Sequence, residues 1–436
     1  MSRPLSVLHQ SGTSTIDGAS YTLDSAGNRT AKTDDYAGVT SDYTYDALYE
    51  LTQVTQGTTT TESYSYDPVG NRTASLGVSS YTTNSSNEMT ANSNASYTYD
   101  SNGNTLTKTD SSGTMTYAWD YENRLTSVTL PASAGTVEFK YDPFGRRIEK
   151  ISPTATSIFA YDGDNLVETT SASASEVASY TQNQGIDQTL AMVRGTTASY
   201  YEQDGLGSVT SLTNSAGSVV QTYGYDSFGN ATSSSGSLTN FFRYTGREFD
   251  TETNLYFYRA RYYDPADGRF VSEDAARFAG GTTFYEYTGN NPIAFIDWSG
   301  NCPIDLTKFT DWLDHHPGSP SDSSCAHHIR MGLEAGGVPA STMNQSPVPA
   351  KDWGPFLMDD LGFSQLPDDP AYSPQVGDIA VFQPANGSNQ NGHIEAWDGT
   401  QWVSNYLQGP PLPNGTHFYP NFKKYGPQPY QIYRCQ

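Results

Sequence analysis

Cysteine is nearly missing from this chain. There are three in 436 residues, Cys302, Cys325 and Cys435, all in the last third. That excludes a dense disulfide framework. Basic residues are also few: Lys and Arg number 23 against 47 Asp and Glu, a formal charge of −24. From Cys302 onward there are six Lys and Arg against thirteen Asp and Glu, a net of −7; the remaining −17 lies before it. Both parts lack the clustered cations that nucleic acid or an anionic membrane surface requires. No apolar run approaches the length of a membrane span, so no membrane insertion by this chain is expected. Met1-Ser-Arg-Pro-Leu-Ser lacks the apolar centre of a signal peptide. The repeat pattern starts almost at once, as it would in the C-terminal piece of a longer protein. A chain of this length needs at least two cores.

Leu and Ile are scarce in the first 240 residues, where Tyr, Thr and Ser take their place. What recurs there is aromatic, any residue, aromatic, Asp, then a turn rich in Gly or Asn. Tyr43-Thr-Tyr-Asp46, Tyr64-Ser-Tyr-Asp67, Tyr97-Thr-Tyr-Asp100, Tyr117-Ala-Trp-Asp120, Phe139-Lys-Tyr-Asp142, Phe159-Ala-Tyr-Asp162 and Tyr223-Gly-Tyr-Asp226 are examples. From Asp100 the steps are 20, 22 and 20 residues. A period near twenty marks a repeat architecture. Alternating aromatics are a strand signal and Asp-Xaa-Xaa-Gly-Asn is a turn signal, so each unit reads as a β-hairpin. One hairpin cannot bury its apolar face alone, so the units must stack side by side. A disordered linker would not keep this tyrosine spacing. The composition predicts a wet, aromatic sheet face.

After the repeats come Arg243-Tyr-Thr-Gly-Arg-Glu-Phe-Asp250, Leu255-Tyr-Phe-Tyr-Arg-Ala-Arg-Tyr-Tyr-Asp-Pro265, Gly268-Arg-Phe-Val-Ser-Glu-Asp274 and Gly289-Asn-Asn-Pro-Ile-Ala-Phe-Ile-Asp297-Trp-Ser-Gly300. This stretch resembles the core motif of RHS (YD-repeat) proteins, in which a shell of repeats ends and a variable toxin follows. The resemblance implies three parts: an all-β, cocoon-like YD-repeat shell over 1–242, a core motif and junction over 243–301, and a cargo over 302–436. It also implies self-cleavage, because family members often cut themselves after Asp-Pro-Xaa-Gly-Leu with a pair of aspartates. Asp297-Trp-Ser-Gly-Asn301 stands in the matching place, with Trp298 for Pro and Asn301 for Leu. Asp274 is the upstream partner, and Asn301–Cys302 is the expected bond. Two carboxylates held together cannot both ionise easily, which supplies one acid and one base. The plainer alternative is two ordinary turn aspartates.

The cargo has its own signals. Phe309 and Leu313 fall on one face at helical spacing. Asp322-Ser-Ser-Cys325-Ala-His-His-Ile329-Arg-Met-Gly-Leu333 predicts a helix that Gly336, Gly337 and Pro339 end. Cys325 sits in its first turn, where the free N–H groups and the dipole favour a thiolate. Gln375-Val-Gly-Asp-Ile-Ala-Val-Phe382 reads as a buried strand. Gly392-His393-Ile-Glu-Ala-Trp397, Asp398-Gly399 and Gln401-Trp-Val-Ser-Asn-Tyr406 read as a hairpin begun by His393. A cysteine opening a helix and a histidine on a later strand are the two parts of a papain-like site. The plainer alternatives are a core cysteine and a surface histidine. His327 and His328 are adjacent on a helix and point apart, so neither metal nor cofactor is expected.

The order and spacing of these motifs resemble NlpC-type and CHAP-type cell-wall peptidases, with an α+β papain-like fold. They are most similar to the fourth family of type VI secretion amidase effectors, which cut peptidoglycan stems between D-glutamate and diaminopimelate. The resemblance implies Cys325 as nucleophile, His393 as base and a third residue on the next strand. Asn405 is the positional match. A three-residue loop would set it opposite His393, a two-residue turn would set Ser404 there, and Asp398 and Glu395 stay in play. Also implied are a peptidoglycan substrate, a cognate immunity protein, a secretion-spike delivery protein and action in the periplasm of target bacteria. A deamidase, transglutaminase or protease acting on a protein, and a non-enzymatic shell or adhesin, are the alternatives. Cys302 and Cys435 bracket the cargo, either as a disulfide or as two free thiols.

Overall fold

The computed structural model describes residues 4–300 apart from 25–26, 174–176, 184–186, 276–282 and 298. Beyond them it describes 309, 313, 325–335, 346, 349–353, 357, 363–365, 378–382, 393–397, 402–403 and 430–435. The chain divides into two compact units, one made of residues 3–274 and 283–300, the other containing 301–436.

Among the described residues, every strand pair of the first unit is antiparallel. Strands β1–β7 (residues 6–75) form one sheet in sequence order, and β8–β23 (residues 82–236) form a second of sixteen strands. The repeat explains both. In turns of the motif the aspartate side chain accepts two backbone N–H groups: Asp67 Oδ1 takes those of Val69 and Asn71, each at 3.0 Å. Asp100 and Asp142 do the same at 2.8–3.0 Å. Gly70 lies at φ +96° inside this turn, a conformation a side chain resists. Asn71 Nδ2 returns to Asp67 Oδ2 at 3.0 Å, which is why Asn follows Gly in the motif.

The two aromatics have different duties. The first of each pair points inward: Tyr64, Tyr97, Tyr117, Phe139, Phe159 and Tyr223 are buried. The second sits at a bulge in the ladder and clips its unit to the one before. Tyr66 Oη donates to the Leu51 carbonyl (3.1 Å), Tyr141 to Leu125 (2.6 Å), Tyr161 to Arg147 (2.9 Å) and Tyr225 to Val209 (2.9 Å). Trp119 uses its indole N–H on Thr105 in the same way, at 2.8 Å. The expectation of a wet aromatic face is therefore corrected. A phenol can be buried when a backbone carbonyl satisfies it, and the polar face is the other one, where Thr98 and Thr107 (2.7 Å) and Thr109 and Thr114 (2.9 Å) pair across strands.

The core motif covers part of the aromatic face. Four short strands, β24 (Glu248–Asp250), β25 (Leu255–Tyr258), β26 (Arg261–Asp264) and β27 (Arg269–Phe270), form a sheet in that order. Leu255, Phe257, Tyr262 and Val271 share a core with Tyr117, Leu125, Val128 and Phe139. Later turns dock on the first sheet. Phe228, two residues after Asp226, meets the Tyr64 ring edge-on at 5.0 Å, with the Arg72 guanidinium 4.2 Å above it. Phe144 holds the same place after Asp142 and is 83% exposed, whereas Phe228 is 1% exposed. Phe228→Ala should therefore cost about 3–5 kcal/mol, and Phe144→Ala no more than about 0.5 kcal/mol. Urea unfolding of the two variants checks this; equal midpoints would show that the turn does not bind the sheets together.

The second unit contains a five-stranded antiparallel sheet in the order β28-β32-β29-β30-β31, with ranges Phe363–Gln365, Tyr430–Cys435, Ile379–Phe382, His393–Trp397 and Trp402–Val403. Helix α1, Cys325–Ala335, packs against β30. Phe309, Leu313, Ile329 and Leu333 share a core with Ile379, Val381, Ile394 and Ala396. Ala380, Phe382, Trp397 and Trp402 form a separate cluster. Neighbours in a strand point to opposite faces, so these two clusters mark the two faces of the sheet.

Candidate functional sites

The first unit carries a buried ionic centre at the end of the core motif. Asp274 and Asp297, 23 residues apart in sequence, are both buried, and both reach Arg261 on β26. Arg261 Nη2 lies 2.7 Å from Asp274 Oδ2 and 3.5 Å from Asp297 Oδ2. Its other nitrogens donate to main-chain carbonyls, Nη1 to Phe284 at 3.0 Å and Nε to Gly300. Its plane lies on the Phe270 ring, 3.7 Å from the centroid. Asp297 Oδ1 accepts the Gly300 N–H at 2.8 Å and the Ser299 hydroxyl at 3.3 Å.

This arrangement pins the chain just before the expected scissile bond. Gly300 adopts φ +78°, and a Cβ there would meet the Tyr258 carbonyl oxygen at 2.3 Å, so only glycine fits. Burial pushes the Asp297 carboxyl up to about 6; Arg261 opposes the shift and the neighbouring Asp274 adds to it. The structure thus brings the two sequence-selected aspartates together. Asn301 and Cys302 lie outside the described residues. Arg261 was not singled out from sequence. Its signal was a cation in Tyr258-Arg-Ala-Arg-Tyr-Tyr263, a run otherwise fit for a core.

In the second unit Cys325 is the first residue of α1; its side chain lies outside the described residues, as do those of His327 and His328. His393 is the first residue of β30 and is buried. It pairs across the ladder with Phe382, and the two rings stand 5.7 Å apart. That pairing puts His393 on the face of Phe382 and Trp397, while Ile394 and Ala396 take the face on which Ile329 and Leu333 pack. Glu395, wholly buried, shares the His393 face, with Oε2 3.5 Å from His393 Nε2. Burial raises the Glu395 carboxyl and the His393 contact opposes the rise.

The hairpin register differs from both expected turns. Ala396 pairs with Val403 and Trp397 with Trp402, which leaves four residues between the strands. The Trp397 and Trp402 rings meet edge-on at 5.5 Å, and this cross-strand aromatic pair sets the register rather than the Asp-Gly dipeptide. Asp398, Ser404 and Asn405 lie outside the described residues, as does Cys302; Cys435 closes β32.

Clipped hairpins roofed by a tyrosine-rich core motif define a YD-repeat shell. The chain matches the Teneurin YD-shell over residues 28–293, and it belongs to that family. It is 34% identical over 274 residues to the tRNA3(Ser)-specific nuclease WapA of Bacillus spizizenii, covering 59% of this chain and 12% of that protein. The chain therefore spans a small part of that relative. Its fold is similar to the Photorhabdus luminescens Tc holotoxin pore, with a TM-score of 0.54 and 22% identity over 66% of this chain and 17% of that one. It also aligns with the type VI effector–immunity complex Tae3–Tai3 of Ralstonia pickettii at 30% identity, over 29% of this chain and 99% of that one. There the TM-score is 0.24, a superposition too loose to carry function across.

Proposed function

We propose that this chain is the shell and cargo of a secreted antibacterial toxin, and that its second unit is a papain-like cysteine amidase that cuts peptidoglycan stems between D-glutamate and diaminopimelate. The observation that carries this reading is the placement of Cys325 and His393. Each is the first residue of its element, and the two elements, α1 and β30, pack together. The apolar stripe of α1 lies on the sheet face away from His393, so in this reading the imidazole reaches the start of α1 past the end of the strand. A histidine opening the strand permits this; one in its middle would not.

In the proposed reaction the Cys325 thiolate attacks the stem carbonyl. The S–C bond forms, the C–N bond breaks, and the His393 imidazolium gives its proton to the departing amine. Water then attacks the thioester, His393 takes a proton from it, and the thiolate leaves. The N–H groups of the opening turn of α1 supply the oxyanion contact. No metal or cofactor enters. A cognate immunity protein, a secretion-spike carrier and action in the target periplasm follow from the same reading.

A nuclease cargo is the second reading, favoured by the likeness to WapA. The net charge of −7 from Cys302 onward speaks against it. Incubating the full chain separately with purified sacculi and with tRNA discriminates. Soluble muropeptides cut after D-glutamate, identified by mass spectrometry, are the expected product. Degraded tRNA beside intact sacculi would replace this reading with the other.

A further inference from the structure

The third group of the proposed site, on the sequence pattern alone, belongs on the strand after His393, yet the ladder there is set otherwise. The β30–β31 pairs, Ala396 with Val403 and Trp397 with Trp402, are one step away from the register in which Asn405 would stand opposite His393. A shift of one residue exchanges the two faces of a strand. The group that does share the histidine's face lies on β30 itself. Alternation places residues 393, 395 and 397 on one side, and the ladder confirms it: His393 stands opposite Phe382 and Glu395 opposite Ala380, both on the Trp397–Trp402 face.

Resting on the cysteine-amidase reading, we infer that Glu395 is the residue that positions His393. Its carboxylate faces Nε2 at 3.5 Å from a wholly buried side chain. That length is long for a charge-assisted hydrogen bond, and such contacts commonly tighten when substrate binds. Phe382 packs against the imidazole and limits its rotation. With Nε2–H directed at Glu395, Nδ1 is the nitrogen left for the thiol. The imidazolium offsets the burial that raises the Glu395 carboxyl, and the carboxylate so held favours the imidazolium in return, the form that stabilises the Cys325 thiolate. The other described acid on this face is Asp378, whose carbonyl accepts the Trp397 N–H at 2.8 Å, at the end of the strand pair away from His393. Glu395 thus acts through His393 and needs no contact with substrate.

The test reads the thiol. Iodoacetamide labelling of Cys325 in the full chain, quantified on its peptide by mass spectrometry across pH 5–9, follows the thiolate in wild type, Glu395→Gln, Glu395→Asp, His393→Ala and the Glu395→Gln/His393→Ala double variant. Glu395→Gln should lower the rate at pH 6 by roughly tenfold, because the imidazolium loses the carboxylate beside it, and Glu395→Asp should restore most of it. In the His393→Ala background Glu395→Gln should change nothing more. A wild-type profile in Glu395→Gln, with the low-pH rate lost in His393→Ala, overturns the positioning role and leaves the Cys–His pair standing. A profile that His393→Ala does not alter removes the pair, and Glu395 with it.

Discussion

Cys325→Ala is expected to abolish release of muropeptides from sacculi, by roughly 10⁴-fold or more, the scale on which removal of a covalent nucleophile acts. Folding should be unchanged, because the substitution removes one sulfur at a helix end and alanine is the best helix former. The same variant directed to the periplasm of a test bacterium should no longer lyse it. The size of the effect follows from the chemistry. No neighbouring serine can take over, since an alcohol is not ionised at the start of a helix while a thiol can be. Far-ultraviolet circular dichroism of the variant guards against a trivial loss. A folded Cys325→Ala chain that still solubilises sacculi would end the cysteine-amidase proposal and reopen the nuclease reading.

The shell was legible because its information is local. The aspartate that accepts two N–H groups, the glycine at positive φ and the asparagine that returns to the aspartate all lie within five residues, as Asp67 to Asn71 illustrates. Such a unit can be read wherever it recurs. What could not be read was how a tyrosine hydroxyl is satisfied. The Tyr141 phenol reaches the Leu125 carbonyl one unit back, a contact between repeats that composition does not encode. Buried cations failed for the same reason. Arg147, wholly buried, pairs with Asp250, 103 residues later, and Arg261 joins two aspartates from separate loops. Each looks like a surface residue until its partner arrives. In the second unit the order of elements was legible from Cys325 and His393, but the hairpin register was not. Asp398-Gly399 is a short-range turn signal, and the Trp397–Trp402 ring contact outweighs it.

If the wild type divides at Asn301–Cys302 as proposed, Asp297→Asn should leave a single uncut chain. The proposed step is hydrolysis. Water adds to the Asn301 carbonyl, one carboxylate takes its proton, and the other, protonated, gives a proton to the departing Cys302 amine. Arg261 lies nearer Asp274 than Asp297, 2.7 against 3.5 Å, which assigns the ionised base to Asp274 and the proton donor to Asp297. The sign of the pH dependence follows. A carboxyl pushed up to about 6 carries its proton below that value and loses it above. At pH 8 only about one molecule in a hundred retains it. Cleavage should thus slow by roughly tenfold for each unit above pH 6 until it is no longer seen. Asp274→Asn should also block cleavage, by removing the base. Arg261→Lys keeps the charge but not the fork that holds the Phe284 and Gly300 carbonyls, and should cut slowly at best. Intact-mass spectrometry of chains held at pH 5, 6, 7 and 8 measures the three variants and the wild type together. A wild-type chain that keeps its full mass at every pH would remove self-cleavage and leave the Arg261 centre as a structural clamp on Gly300.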